Sequence, residues 1–206
     1  MSIFGKPKTP AQENDYGVKV LYLHGLEGSP QGTKSQHLRE TWSAFTPGLR
    51  TQDVSELRLK CGGNWKNVSF EEIDVAVTQT FQDALDAVNY LQPDIIIGSS
   101  LGAAILYKLY ANGHYDKAGV FLAPAIPHLL PSSEISEGYG VIPKHQTFWV
   151  LGEVDTIVSN ADNAAICKAV SGNLIYSPND SHRLHKAVNS GLIDAAILSV
   201  IEETAK

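Results

Sequence analysis

Apolar residues in this chain follow two rhythms. Short runs rich in β-branched and aromatic side chains alternate with longer stretches whose apolar positions recur every three or four residues. The first rhythm marks buried strands and the second marks helices with one apolar face. Val18-Lys19-Val20-Leu21-Tyr22-Leu23 reads as the first strand. Residues 33–45 follow as a helix with Leu38, Trp42 and Phe45 on one face, then a short second strand near Leu49–Val54 and a long irregular segment to Val68. Ser69 with Glu72 spells a capping box, in which side chain and backbone satisfy each other at a helix start. The helix it opens carries Ile73, Val77, Phe81, Leu85 and Val88 on one face, and Pro93 prevents its continuation. Strands follow at Asp94–Ile97, Gly119–Ala123, Thr147–Leu151 and Asn173–Tyr176, with helices at Ala103–Ala111, Ala161–Val170 and Leu192–Ile201 between and after them.

This alternation predicts an α/β fold with a mainly parallel six-stranded sheet and helices on both faces. No repeat, low-complexity tract or linker interrupts it, so residues 1–206 read as a single domain with an N-terminal extension over 1–16. Pro127–His145 is the only long late connection. Its Leu129, Leu130, Ile135, Tyr139 and Ile142 give it apolar surface enough for a minimal lid, or for packing that loop onto the sheet.

Composition narrows the class of function. The 206 residues carry 16 basic and 22 acidic side chains, a net charge of −6, with no Lys/Arg run. That balance argues against nucleic acid or an anionic membrane surface as the main partner. No stretch has the length of a membrane span, and the first fifteen residues lack the apolar centre of a secretory signal. Cys61 and Cys167 lie far apart without a pairing pattern, as expected of reduced thiols in a cytoplasmic protein.

The chemistry concentrates at the ends of the predicted strands. Gly98-Ser99-Ser100-Leu101-Gly102 lies between a buried strand and a helix, the context of a nucleophile elbow. Its turn is so tight that a Cβ on either flank would clash, and the central residue is held strained at the tip. Ser100, with glycine two residues to each side, is the nucleophile candidate; Ser99 has Ile97 and Leu101 in those places. The loop His24-Gly25-Leu26-Glu27-Gly28-Ser29-Pro30 follows the first strand, which would neighbour the elbow strand. There the backbone N–H of Leu26, with that of Leu101, would form a two-donor oxyanion hole. His24 reads as a structural hydrogen-bonding residue.

Asp155 follows the fifth strand of this set where a carboxylate would reach a histidine; it would equally cap the next turn, and Glu153 competes with it. His182 follows the last strand. His185 fits the base role less well because it would lie inside the next turn, and two histidines three apart lack a third ligand at a diagnostic metal spacing. The remaining histidines, His37, His114, His128 and His145, are scattered. Chain order is then Ser100, Asp155, His182, each on the loop after a strand.

These segments resemble the α/β-hydrolase superfamily over nearly the whole chain, from about Val18 to the last helix. Leu23-His24-Gly25-Leu26-Glu27-Gly28-Ser29-Pro30, the Gly-Ser-Ser-Leu-Gly elbow and Ser181-His182-Arg183 are similar to small YqiA-like bacterial serine esterases, compact members with little or no cap. The resemblance implies a serine hydrolase acting on a small-molecule acyl ester or thioester. In it Ser100 is the nucleophile, His182 the general base and then acid, Asp155 the orienting acid, and Leu26 and Leu101 the oxyanion donors; no metal or organic cofactor is required. Glu27 departs from the neutral residue of related chains, and either discourages anionic substrates or points to solvent. The rival reading is a non-catalytic ligand-binding module on the same fold.

Overall fold

The computed structural model describes residues 14–204; residues 1–13 of the expected N-terminal extension lie outside the described residues. Five strands form one all-parallel sheet in sequence order: β1 (Val20–Leu23), β2 (Ile95–Ser99), β3 (Ala118–Leu122), β4 (Thr147–Gly152) and β5 (Asn173–Ser177). Register aligns Tyr22, Ile97, Val120 and Phe148 across four of them. β1, β2 and β3 are buried along their whole length, as strands covered on both faces must be, which explains their unbroken apolar runs.

Alternate residues of these strands feed two cores. Leu21, Leu23, Ile96, Phe121 and Trp149 face α3 (Phe70–Leu91) and α4 (Leu101–Ala111). The Phe121 and Trp149 rings stack at 4.3 Å between centroids. Val20, Tyr22, Ile95, Ile97, Val120 and Val150 face α1 (Thr33–Trp42) and α9 (Leu192–Thr204). α1 stops short of the expected Phe45 because Ser43 turns left-handed at φ 52°.

The expected strand at Leu49–Val54 does not form, so the sheet has five strands rather than six. Side chains take the backbone groups a strand would have paired. Leu49 N–H donates to Nε2 of His24 (3.4 Å), Arg50 N–H donates to Oδ2 of Asp83 (2.7 Å), and the Thr80 hydroxyl donates to the Arg50 carbonyl (2.6 Å). Asp83, buried on α3, also holds the Arg50 guanidinium at 2.6 Å. The chain then enters α2 (Gln52–Lys60) and, after it, a single 3-10 turn at Trp65–Asn67, where an irregular segment was expected. α2 left little periodic signal because Val54 is its one buried residue.

What survives of a sixth strand is one residue. Phe45 N–H donates to the Val20 carbonyl and Tyr22 N–H to the Phe45 carbonyl, both at 2.9 Å, on the outer edge of β1. The chain therefore leaves β1 towards Phe45, returns through α3 to the other edge of β1, and moves on from β2 to β3. The C-terminal ends of β1 and β2 flank a topological switch point, where open α/β sheets bind ligands.

The segment 127–145 falls into α5 (Ile126–Leu129) and α6 (Ser132–Val141). The Tyr107 hydroxyl on α4 donates to the Ile135 carbonyl (2.5 Å), Lys108 pairs with Glu134 at 3.0 Å, and Leu129, Leu130 and Ile142 join the core. Two further helices, α7 (Asn160–Ala169) and α8 (His185–Asn189), follow β4 and β5. Among the described residues, no helix is long and apolar enough to cross a membrane.

The capping box forms as written: the Ser69 hydroxyl accepts the Glu72 N–H and Glu72 accepts the Ser69 N–H, both at 3.2 Å. Ser69→Ala should lower unfolding free energy by about 1 kcal/mol. Urea denaturation would show this as an earlier midpoint with an unchanged slope.

Candidate active site

Ser100 stands between β2 and α4 with φ 53° and ψ −112°, a conformation L-residues avoid and sharp elbows impose. Three N–H groups converge on its carbonyl, from Ala103 and Ala104 at 3.1 Å and Ala125 at 3.2 Å, while its own N–H donates to the Leu122 carbonyl (2.9 Å). Both flanking glycines are sterically required. A Cβ at Gly102 would sit 2.0 Å from the Leu23 carbonyl oxygen, and one at Gly98 would sit 2.6 Å from Cα of Ala103. Ser99, by contrast, is the buried last residue of β2. Ser100 thus stands at the turn and Ser99 within the strand.

His182 Nε2 lies 2.8 Å from Oγ of Ser100, and His182 Nδ1 lies 2.8 Å from Oδ2 of Asp155. The Asp155 side chain is wholly buried and the imidazole nearly so. Asp155 serves both roles its position allowed, because its Oδ1 accepts the N–H groups of Ile157 (2.8 Å) and Val158 (3.1 Å). Burial alone would raise the pKa of this carboxyl. The hydrogen bond from His182 and those two amides outweigh burial and hold it below the ordinary carboxylate range.

The competing residues have other partners. Glu153 accepts the Asn179 N–H at 2.7 Å, bracing the loop that carries His182. His185 opens α8 and lines the cavity rim. His24 is buried, with Nδ1 2.9 Å from the Gly25 carbonyl and Nε2 accepting from Leu49, and desolvation holds its pKa below the usual histidine value. Asp180, also buried, accepts from the Ser177 hydroxyl and from the N–H groups of Ala187 and Ser181, pinning both ends of the His182 loop.

Gly25 brings the loop after β1 against the nucleophile: a Cβ there would lie 3.2 Å from Cβ of Ser100. Gly25 and Leu26 line the same cavity as Ser100. Leu101 is the first residue of α4, so its N–H has no carbonyl within the helix to bond, and it lies at the helix's positive end.

The cavity above Ser100 has a volume of about 490 Å³. Val54 and Arg58 of α2 and Trp65 of the 3-10 turn line it. α5 contributes His128 and Leu129; no residue of α6 reaches the lining. Glu27 is exposed, and its two oxygens bind Arg58 (2.7 Å) and Arg183 (3.0 Å). The Arg58 hydrogen bond, with both positive charges, holds Glu27 below its ordinary pKa against slight desolvation. Lys34, Arg58 and Arg183 were not legible as site residues. They lie on elements whose approach to Ser100 is set by tertiary packing and not by any local motif.

No protein-family model and no curated protein sequence matches the chain. Solved structures do. A protein assigned to the α/β superfamily of hydrolases from Xanthomonas campestris is 20% identical, with a TM-score of 0.59 over 91% of this chain and 98% of that one. Est1E from Butyrivibrio proteoclasticus, solved with ferulic acid bound, is 14% identical, with a TM-score of 0.63 over 96% and 94%. A structure of the metagenome-derived lipolytic enzymes LipS and LipT is 16% identical, with a TM-score of 0.62 over 90% and 93%. The chain has the α/β-hydrolase fold. At these identities the likeness extends to the fold of the sheet and its helices.

Gly102→Ala should unfold at a markedly lower temperature than the parent chain, because the new methyl meets a strand carbonyl that has nowhere to move. A thermal melt within a degree or two of the parent would show the elbow to be looser than its geometry.

Proposed function

We propose that this chain is a serine hydrolase that cleaves a small carboxylic ester or thioester through an acyl-enzyme intermediate. The observation that carries the proposal is the continuous line from Ser100 Oγ through both ring nitrogens of His182 to the buried carboxylate of Asp155, with 2.8 Å at each step. A structural histidine has no need of a strained serine on one side and an ionised carboxylate on the other.

Chemistry follows from the arrangement. The Asp155 carboxylate takes the Nδ1–H of His182, which leaves Nε2 free to accept the Ser100 proton. As Oγ attacks the substrate carbonyl, negative charge moves to its oxygen, where the amides of Leu26 and Leu101 meet it. His182, now an imidazolium stabilised by Asp155, protonates the leaving alcohol or thiol, and the acyl group stays on Ser100. Water then enters, gives its proton to His182 and adds to the acyl carbon. Collapse of this second tetrahedral intermediate returns the proton to Ser100 and releases the acid. Apart from the substrate and water, the steps use groups of the chain itself. Two free cysteines, Cys61 and the buried Cys167, suit a reducing cytoplasm; burial pushes the Cys167 thiol up to about 12, away from any nucleophilic role at neutral pH.

The test is hydrolysis of p-nitrophenyl esters of rising acyl length by the parent chain, Ser100→Ala and Asp155→Asn. Ser100→Ala should abolish turnover while the protein stays folded, and Asp155→Asn should lower kcat on the order of a thousandfold or more. Ser100→Ala retaining most of the activity would end the assignment. A folded parent chain that neither turns over any ester nor reacts with a fluorophosphonate would instead be a binding module.

A further inference from the structure

The cavity beside Ser100 is positively charged although the chain as a whole is acidic. Three cations line it, Lys34, Arg58 and Arg183, and Glu27 is the one carboxylate in the lining. Glu27 occupies both guanidinium groups. Lys34 is different. It is half-buried in the first turn of α1, and its ammonium donates to the Arg183 carbonyl at 2.7 Å. No carboxylate among the described residues pairs with it within 4 Å. Asp180, the acid near enough to attract it, makes no ion pair with it and accepts instead from a hydroxyl and two backbone amides.

A charged lysine drawn partly out of water without an anion in direct contact is costly unless something charged arrives to meet it. The carbonyl it touches belongs to the residue after His182, so the ammonium lies beside the catalytic loop. We propose that Lys34 is a specificity residue that receives a carboxylate on the substrate, so that the preferred ester carries one free carboxylate besides the bond that is cleaved. The proposal rests on the hydrolase reading above and names its substrate class.

The charge count favours a monoanion. Arg58 and Arg183 share Glu27, which leaves the ammonium of Lys34 as the cation of the lining with no carboxylate in direct contact. Burial pushes Lys34 down to about 8, with Arg183 acting in the same direction and Asp180 opposing them, so it remains mostly protonated at neutral pH. Glu27 does not repel such a substrate from this side, because its own charge is spent on the two arginines.

Two matched substrate pairs decide the matter. Mono-p-nitrophenyl succinate against p-nitrophenyl butyrate places the carboxylate on the acyl half. Acetoxybenzoate with a para carboxylate against phenyl acetate places it on the alcohol half. In at least one pair the parent chain should prefer the charged member, and Lys34→Met should cut the ratio of kcat/KM values about tenfold, the usual weight of a charge-assisted hydrogen bond. Lys34→Arg should keep most of the ratio.

If Lys34→Met lowers both members of each pair alike, Lys34 is only a tether of the His182 loop and the proposal is overturned. If no ester is cleaved at all, the hydrolase reading falls, and calorimetric titration of Ser100→Ala with succinate decides the site alone. Binding that the further change Lys34→Met removes would sustain the carboxylate site; no binding would overturn it.

Discussion

Everything at this site depends on one crowded junction, where β2 turns into α4 under the end of β1. The turn survives because both peptide groups of Ser100 are hydrogen-bonded and because Gly98 and Gly102, two residues to either side, have no side chain to obstruct it. Such strain persists only where surrounding structure over-determines it. Here that structure is the buried parallel sheet, whose first strand presses its carbonyls against Gly102. Core packing and the exposure of one hydroxyl are two sides of a single constraint.

Around that fixed point the other groups of the candidate site arrive on short loops from three strand ends. Each loop is braced locally: Asp155 by the amides ahead of it, the His182 loop by Asp180 and Glu153, and the Gly25 loop by its contact with the elbow. The bracing matters because a hydrogen-bonded relay tolerates little displacement. Buried Asp180 and exposed Glu153, acids that look redundant with the proposed catalytic one, are therefore part of the same device, since they hold the loop from which the imidazole hangs.

The sequence was most readable where a local rule and the global fold agree. Strands covered on both faces must be apolar throughout, so β1 to β4 stood out as runs, and the capping box announced α3 by its own chemistry. The elbow was legible because steric exclusion leaves a two-glycine signature around one serine. His182 and Asp155 were legible because each follows a strand end. Leu49–Val54 was misread because its propensity competed with partners distant in sequence, His24, Thr80 and Asp83, which captured its backbone groups. α2 escaped because one buried residue carries no period. Lys34, Arg58 and Arg183 wear the composition of ordinary solvated helix and loop positions, and nothing short of the folded arrangement of α1, α2 and the last strand–helix loop brings them together.

The two arginines that share Glu27 give the site an asymmetry of another kind. Their pairs are exposed and span elements far apart in sequence, whereas the Ser100–His182–Asp155 line is buried. Exposed charges are screened over about 8 Å at physiological ionic strength and over shorter distances in concentrated salt; buried ones are screened far less. The mouth of the cavity is thus tuned by the surrounding electrolyte, while the Ser100–His182–Asp155 line beneath it is insulated from the same change.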